Sequence, residues 1–169
     1  MASPNNPPKA KAKEQSPDQT IAVNRRGRFS YDIEESMEAG MALTGTEVKS
    51  ARAGQVQIAE AYAKIEIGPN ARPEVWVHGM LIAPYAQGNI FNAEPRRKRK
   101  LLLHREQIDK LKTRVEQKGY TLVPLKFYFT KGRAKLQLGV GKGRKTHDKR
   151  QVITERETKR ATQRAIRER

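Results

Sequence analysis

Residues 120–140 read YTLVPLKFYFTKGRAKLQLGV, and this stretch decides the fold class. Val123, Leu125, Phe127 and Phe129 fall at one parity, so an extended chain is expected to put all four on one face. Lys131-Gly132 supplies a turn. Ala134, Leu136, Leu138 and Val140 then return as the second strand of a long hairpin, with Lys135 on its outer face. Pro124 lacks a ladder donor and is expected at an edge or a bulge.

Working upstream, Met37, Ala39, Met41 and Leu43 alternate with Glu38, Gly40 and Ala42, the period of a half-buried strand. Glu38 then points outward. It is either a salt-bridge partner for a neighbouring Lys or Arg, or an acceptor for base amino or ribose hydroxyl donors. Ala59, Ala61, Ala63, Ile65 and Ile67 share one parity opposite Glu60, Tyr62, Lys64 and Glu66. Residues 68–73 turn the chain, and 75–82 return as a hairpin partner. Residues 84–92 read as loop, with a short strand expected at 89–91. Two segments read as helix. TGTEVKSARAG (44–54) has a capping-box pair in Thr44 and Glu47, Lys49 and Arg52 toward its end, and Gly54 as a stop. The second opens at Pro95 and continues through 107–118, with Ile108, Leu111 and Val115 at core spacing and Gly119 ending it. Many short strands with one or two helices in about 120 residues suggest a small closed or nearly closed barrel.

The chain has 169 residues, with 35 Lys+Arg against 18 Asp+Glu and a formal charge of +17. An excess that large calls for a polyanionic partner, and nucleic acid fits best. A membrane surface fits less well, because there is no long apolar run and no basic helix with an apolar face. The absence of cysteine excludes disulfides and Cys-ligated zinc. Residues 1–19, with Pro4, Pro7, Pro8 and Pro17, carry no hydrophobic period and read as a disordered arm. No apolar signal-peptide core is present, which sets the expectation of a cytoplasmic protein.

The cations cluster. Arg25, Arg26 and Arg28 surround Gly27. The run EPRRKRKLLL (94–103) places five consecutive cations, Arg99 and Lys100 among them, before three leucines. Alone it reads as a localisation-type patch or a phosphate site; anchoring by the leucines favours the phosphate site. LGVGKGRKTHDKR (138–150) combines three glycines with Lys142, Arg144, Lys145, Lys149 and Arg150, and serves either as a solvated basic linker or as a junction against phosphates. In 151–169, Arg156, Arg160, Arg164 and Arg167 align on one face of a helix, with Thr158, Ala161, Thr162, Ala165 and Ile166 opposite. Like-charge pairs at i,i+4 each oppose helix by roughly a few tenths of a kcal/mol. A free tail is therefore expected to be largely unstructured and to fold against phosphate. His78, His104 and His147 lack metal-ligand spacing, and Leu136 and Gly143 break a Walker pattern ending at Gly141-Lys142. The chain reads as a non-enzyme with no cofactor.

Five blocks in order, EAGMALTGTEVKSARAG (38–54), PRRKRKLLLH (95–104), KGYTLVPLKFYF (118–129), KLQLGVGKGRK (135–145) and DKR (148–150), resemble the small protein B family, the SsrA (tmRNA)-binding proteins of bacterial trans-translation. The resemblance runs from about residue 20 to the end of the chain. It implies a mainly β fold, a small antiparallel six-stranded OB-like barrel with flanking short helices and a disordered basic C-terminal tail. The implied division is 1–19 arm, 20–140 RNA-binding barrel, and 141–169 junction and tail, helical when bound. Family RNA-binding positions fall on Asn24, Glu38, Leu102 and Lys135, and Arg25, Arg26, Lys49, Arg99 and Lys100 join them as expected contacts to the tRNA-like domain of tmRNA. Lys142, Lys145, His147, Asp148, Lys149 and Arg150, with Arg156, Arg160, Arg164 and Ile166, are expected at the decoding centre (16S rRNA) and along the empty mRNA channel of the ribosome. Elongation factor Tu with alanylated tmRNA is the further implied partner. The loop 68–73 looks longer than the family's tight turn, and no tryptophan stands near Thr158, where family members often carry one.

Overall fold

The structure is a computed structural model that describes residues 19–145 and, in the tail, 153, 154, 157, 158, 160–164 and 166. Its frame is the expected hairpin. β8 (Tyr120–Thr130) and β9 (Arg133–Gly143) are joined by Lys131 and Gly132, both at positive φ (48° and 75°), the turn that matches strand twist. Four further strands complete a ring with them: β2 (Tyr31–Met41), β4 (Tyr62–Ile67), β5 (Pro73–His78) and β7 (Arg99–Leu102). The order is β8-β4-β5-β7-β2-β9 and back to β8, antiparallel at every pairing. β1 (Gln19–Val23) docks beside β8 outside this ring, and β3 (Val56–Gln57) pairs with β6 (Leu81–Ile82) as a small separate sheet. Closure leaves few edges to cover.

The parity of the hairpin holds on β9 and breaks on β8. Leu136, Leu138 and Val140 are buried, as expected. Around Leu125 the β8–β9 register shifts between Pro124 and Lys126, a bulge that meets the demand for Pro124 to sit where no ladder donor is needed. One extra residue reverses the faces. Leu122, Phe127 and Phe129 therefore belong to the barrel core, whereas Val123 and Leu125 are buried outside it, against Gly27 and against Ile33 and Gly139.

α2 (Gly45–Arg52) follows its punctuation: Glu47 accepts from the Thr44 N–H at 2.8 Å and Gly54 takes φ +80°. α3 (Arg105–Glu116) buries Ile108 and Leu111 against β5, β8 and β9, and Gly119 at φ +91° follows it. Other expectations are corrected. Residues 89–91 form a short 3-10 helix, not a strand. Residues 99–102 extend as β7 rather than continuing a helix from Pro95, because pairing on both sides, with β5 and β2, outweighs the helix propensity of Lys, Arg and Leu. The returning segment 75–82 is cut by Gly79 at φ +71°. A six-residue helix, α1 (Arg25–Ser30), occupies a stretch read only as basic. The described tail residues are helical in the chain alone, where like charge argued for an unstructured free tail. The Thr158 and Thr162 hydroxyls donate back to the carbonyls of Thr154 and Thr158, at 2.9 and 3.0 Å.

Candidate nucleic-acid interface

Four strands place one row of residues on the outer face. Leu102 of β7 pairs with Gly40 of β2, Gly40 with Lys135 of β9, and Lys135 with Tyr128 of β8. Glu38 lies two residues along β2, on the same face. Its carboxylate accepts from Lys135 Nζ at one oxygen and from the Tyr128 hydroxyl at the other. The Lys135 hydrogen bond, then that of Tyr128, hold the Glu38 carboxyl below the usual carboxylate range. Glu38 is thus a charged acceptor already bound to protein donors, the salt-bridge reading of the two the sequence left open. Leu102 is 55% exposed beside Gly40, where an added Cβ would come within 3.3 Å of Leu102 Cβ. The structure brings Glu38, Leu102 and Lys135 together. Tyr128, which sequence reasoning missed, completes the group; its signal was an outward tyrosine between two buried phenylalanines.

Two expected contacts are corrected. Arg99 is fully buried and presents nothing to a phosphate. Its guanidinium donates to Glu47 Oε1 at 2.9 Å and to the carbonyls of Met80, Pro95 and Arg97 at 2.6, 2.9 and 3.0 Å. Desolvation alone makes a buried guanidinium costly, so a buried carboxylate and three carbonyls accompany it. Burial lowers the Arg99 pKa from its ordinary value. At Glu47 burial pushes upward, but hydrogen bonds from Arg97 and the Thr44 N–H and the charges of Arg99 and Arg97 outweigh it, leaving a net depression. Asn24 is also buried. Its Oδ1 accepts from Gly27 N at 2.7 Å, capping α1, and its Nδ2 donates to Pro124 O at 2.9 Å. With the Asn24 backbone N–H on Leu125 O at 2.9 Å, this residue closes the bulge of β8, its amide engaged at both ends within the fold.

The remaining cations are distributed. Arg25 and Arg26 are exposed on α1, Lys49 lies over the Tyr85 ring at 5.4 Å, and Lys100 pairs with Glu74 at 2.5 Å. Near the root of the tail, Lys142 sits 4.3 Å over the Tyr120 ring and Lys145 is exposed. Arg160, Arg164 and Ile166 are exposed on the helical tail, whereas His147, Asp148, Lys149, Arg150 and Arg156 lie outside the described residues. Among the described residues no cluster of His, Asp and Glu could hold a metal ion, and no helix is long and apolar enough to cross a membrane.

The sequence model of the SmpB protein family matches residues 21–168. The chain belongs to the SmpB family. An SsrA-binding protein of Alkaliphilus metalliredigens is 52% identical to it over 147 residues, 87% of this chain and 90% of its own. The SsrA-binding protein of Bradyrhizobium diazoefficiens is 52% identical over 158 residues, 93% of this chain and 98% of its own. Among solved structures, a chain described under the heading "tmRNA-SmpB: a journey to the center of the bacterial ribosome" matches with a TM-score of 0.61 at 50% identity, covering 75% of this chain and 85% of that one. The SmpB family fold therefore accounts for the six-stranded ring and its short helices.

Proposed function

We propose that this chain binds tmRNA and serves ribosome rescue in trans-translation. The outer row of Leu102, Lys135 and Tyr128 with Glu38 meets the tRNA-like domain, and the C-terminal tail enters the decoding centre and the empty mRNA channel. The observation that supports this most is the pairing of family membership with an exposed leucine beside a fixed, outward Lys135–Glu38 pair. The exposed cations Arg25, Arg26 and Lys49 add electrostatic attraction, while Asn24 and Arg99 act from within the fold. The chain is a binding protein in this reading and catalyses nothing itself. It works on cytoplasmic ribosomes together with elongation factor Tu and alanylated tmRNA.

The described tail residues present Arg160 and Arg164 to solvent on helical backbone, and Thr158, Ala161, Thr162 and Ile166 among them are exposed as well. Phosphates beside the arginines remove the like-charge penalty and lengthen the life of the helix. The test is equilibrium binding to the tRNA-like domain of tmRNA against an ordinary tRNA across a salt series, for the full chain and for one ending at Lys145. Phosphate contacts give a log–log salt slope of roughly −0.7 to −0.9 each. Retained tmRNA preference in the shortened chain assigns specificity to the barrel and the ribosome to the tail. Preference lost with the tail, or absent throughout, overturns the division.

A further inference from the structure

Between α1, the start of β4 and the root of the tail, the barrel wall is open. β8 pairs with β1 over positions 126–129 but with β4 at Leu122 alone, and the bulge at Leu125 lies between. The gap is a cleft of about 730 Å³ whose walls include Arg26, Ser30, Tyr62, Thr121 and Arg144. Its volume lies within the range of small-ligand sites, but cations and hydroxyls line it where such sites are mainly apolar.

Its aromatic wall is fixed in advance. Tyr62 is 53% exposed, yet its ring stacks on His78 with centroids 5.2 Å apart and planes 12° apart, and His78 is held by Glu66 at 2.8 Å. A solvent-facing ring backed by a second ring is a platform for a base, because every base offers a π-face. Arg26 is an exposed residue of the cleft wall and makes no ion pair among the described residues. Arg144 closes the end nearest the tail, anchored by its N–H to Ser30 O at 2.9 Å and its guanidinium 3.3 Å from Asp32. We propose that this cleft receives one unstacked RNA nucleotide, its base on Tyr62 and its phosphate on Arg26, with the hydroxyls of Ser30 and Thr121 facing its polar edge. Asn24 is the positioning residue of this site: by capping α1 and closing the bulge it fixes where Arg26 stands. The inference rests on the RNA-binding reading above. tmRNA and ribosomal RNA share the chemistry.

The experiment compares the full-length wild type with Tyr62→Ala, Tyr62→Phe, Arg26→Ala and, as a charge control on α3, Lys112→Ala. One arm titrates the tRNA-like domain of tmRNA, the other ribosomes with an empty A site. Tyr62→Ala and Arg26→Ala are each expected to weaken binding roughly tenfold in the arm that supplies the nucleotide, with Tyr62→Phe within about twofold of wild type. Asn24→Ala should weaken that arm too, but add nothing once Arg26 is Ala, a non-additivity that a merely structural role would not give. No loss in either arm overturns the site. So does a Tyr62→Phe loss as large as that of Tyr62→Ala, or a Lys112→Ala loss as large as that of Arg26→Ala. A wild type without tmRNA preference overturns the function, while the cleft still stands or falls on Tyr62→Ala against Tyr62→Phe.

Discussion

Arg99 Nε donates to Glu47 Oε1 at 2.9 Å with the two side chains 0% and 5% exposed, so a run of cations that reads as surface hides a buried ion pair that ties α2 to β7. Arg97 adds two more bonds to Glu47 from the half-buried side, Nε to Oε1 at 2.9 Å and Nη2 to Oε2 at 2.6 Å. Replacing Glu47 by Gln leaves Arg99 buried without its counter-charge, which costs about 3–5 kcal/mol at pH 7. The loss should appear as a lower urea midpoint with the slope unchanged.

The same pair sets an acid dependence. The folded pKa of Glu47 lies below its unfolded value, so the ionised carboxylate stabilises the fold at pH above the ordinary carboxylate range. That contribution drains away as pH falls through the depressed folded value. Thermal melts of the wild type from pH 7 to pH 3 should fall more steeply than those of Glu47→Gln, and the two curves should converge at the acid end. Parallel curves would mean that Glu47 is not the group responsible.

At the outer face the question is whether Glu38 touches RNA or holds Lys135 for it. Glu38 already accepts from Lys135 and Tyr128, so the structure favours holding. Lys135→Ala should reduce tmRNA affinity and flatten the salt slope by about 0.7–0.9, one phosphate contact. Glu38→Gln should cost less, and in the Lys135→Ala background it should cost almost nothing further. Additive losses would show that Glu38 makes its own contact.

Leu101 and Leu102 separate stability from binding within one dipeptide, because neighbouring strand residues face opposite ways. Leu101 is 1% exposed and Leu102 55%. Leu101→Ala should cost about 2–5 kcal/mol of stability. Leu102→Ala should leave the melting temperature nearly unchanged and weaken tmRNA binding, as measured side by side on one RNA. A binding loss for Leu102→Ala that vanishes under stabilising conditions would reassign it to the fold.

These residues also show how far sequence reasoning reaches here. Alternation along β9, the capping signal of Thr44 and Glu47 and the turn at Lys131-Gly132 were legible because each is local. The row of Glu38, Leu102 and Lys135 was named by family resemblance, with outward parity as support for two of the three. The fate of Arg99 was not legible, since a cation among cations looks solvent-bound until β5 and β2 enclose it. The reversal at Leu125 was likewise hidden. A proline announced a bulge, but which neighbours changed face depended on Asn24, a hundred residues upstream, filling the gap.

The glycines of 138–150 are the sharpest case, because their spacing suggested a pliable junction while β9 uses two of them for close approach. A Cβ on Gly141 would lie 2.2 Å from the Asp32 carbonyl oxygen, and one on Gly139 2.8 Å from Leu125 Cδ1. Backbone cannot yield as a flexible side chain can, so Gly141→Ala must push β2 and β9 apart at the end of the barrel. A cost of about 1–3 kcal/mol is expected. Gly143 has open space around its would-be Cβ, and Gly143→Ala should stay within about 0.5 kcal/mol of wild type. Urea titrations of the two variants decide it. Equal, small effects would mean that the strand end is as loose as the composition suggested; a large effect confined to Gly141 means that the tail departs from a rigid wall, which fixes where its first cations stand.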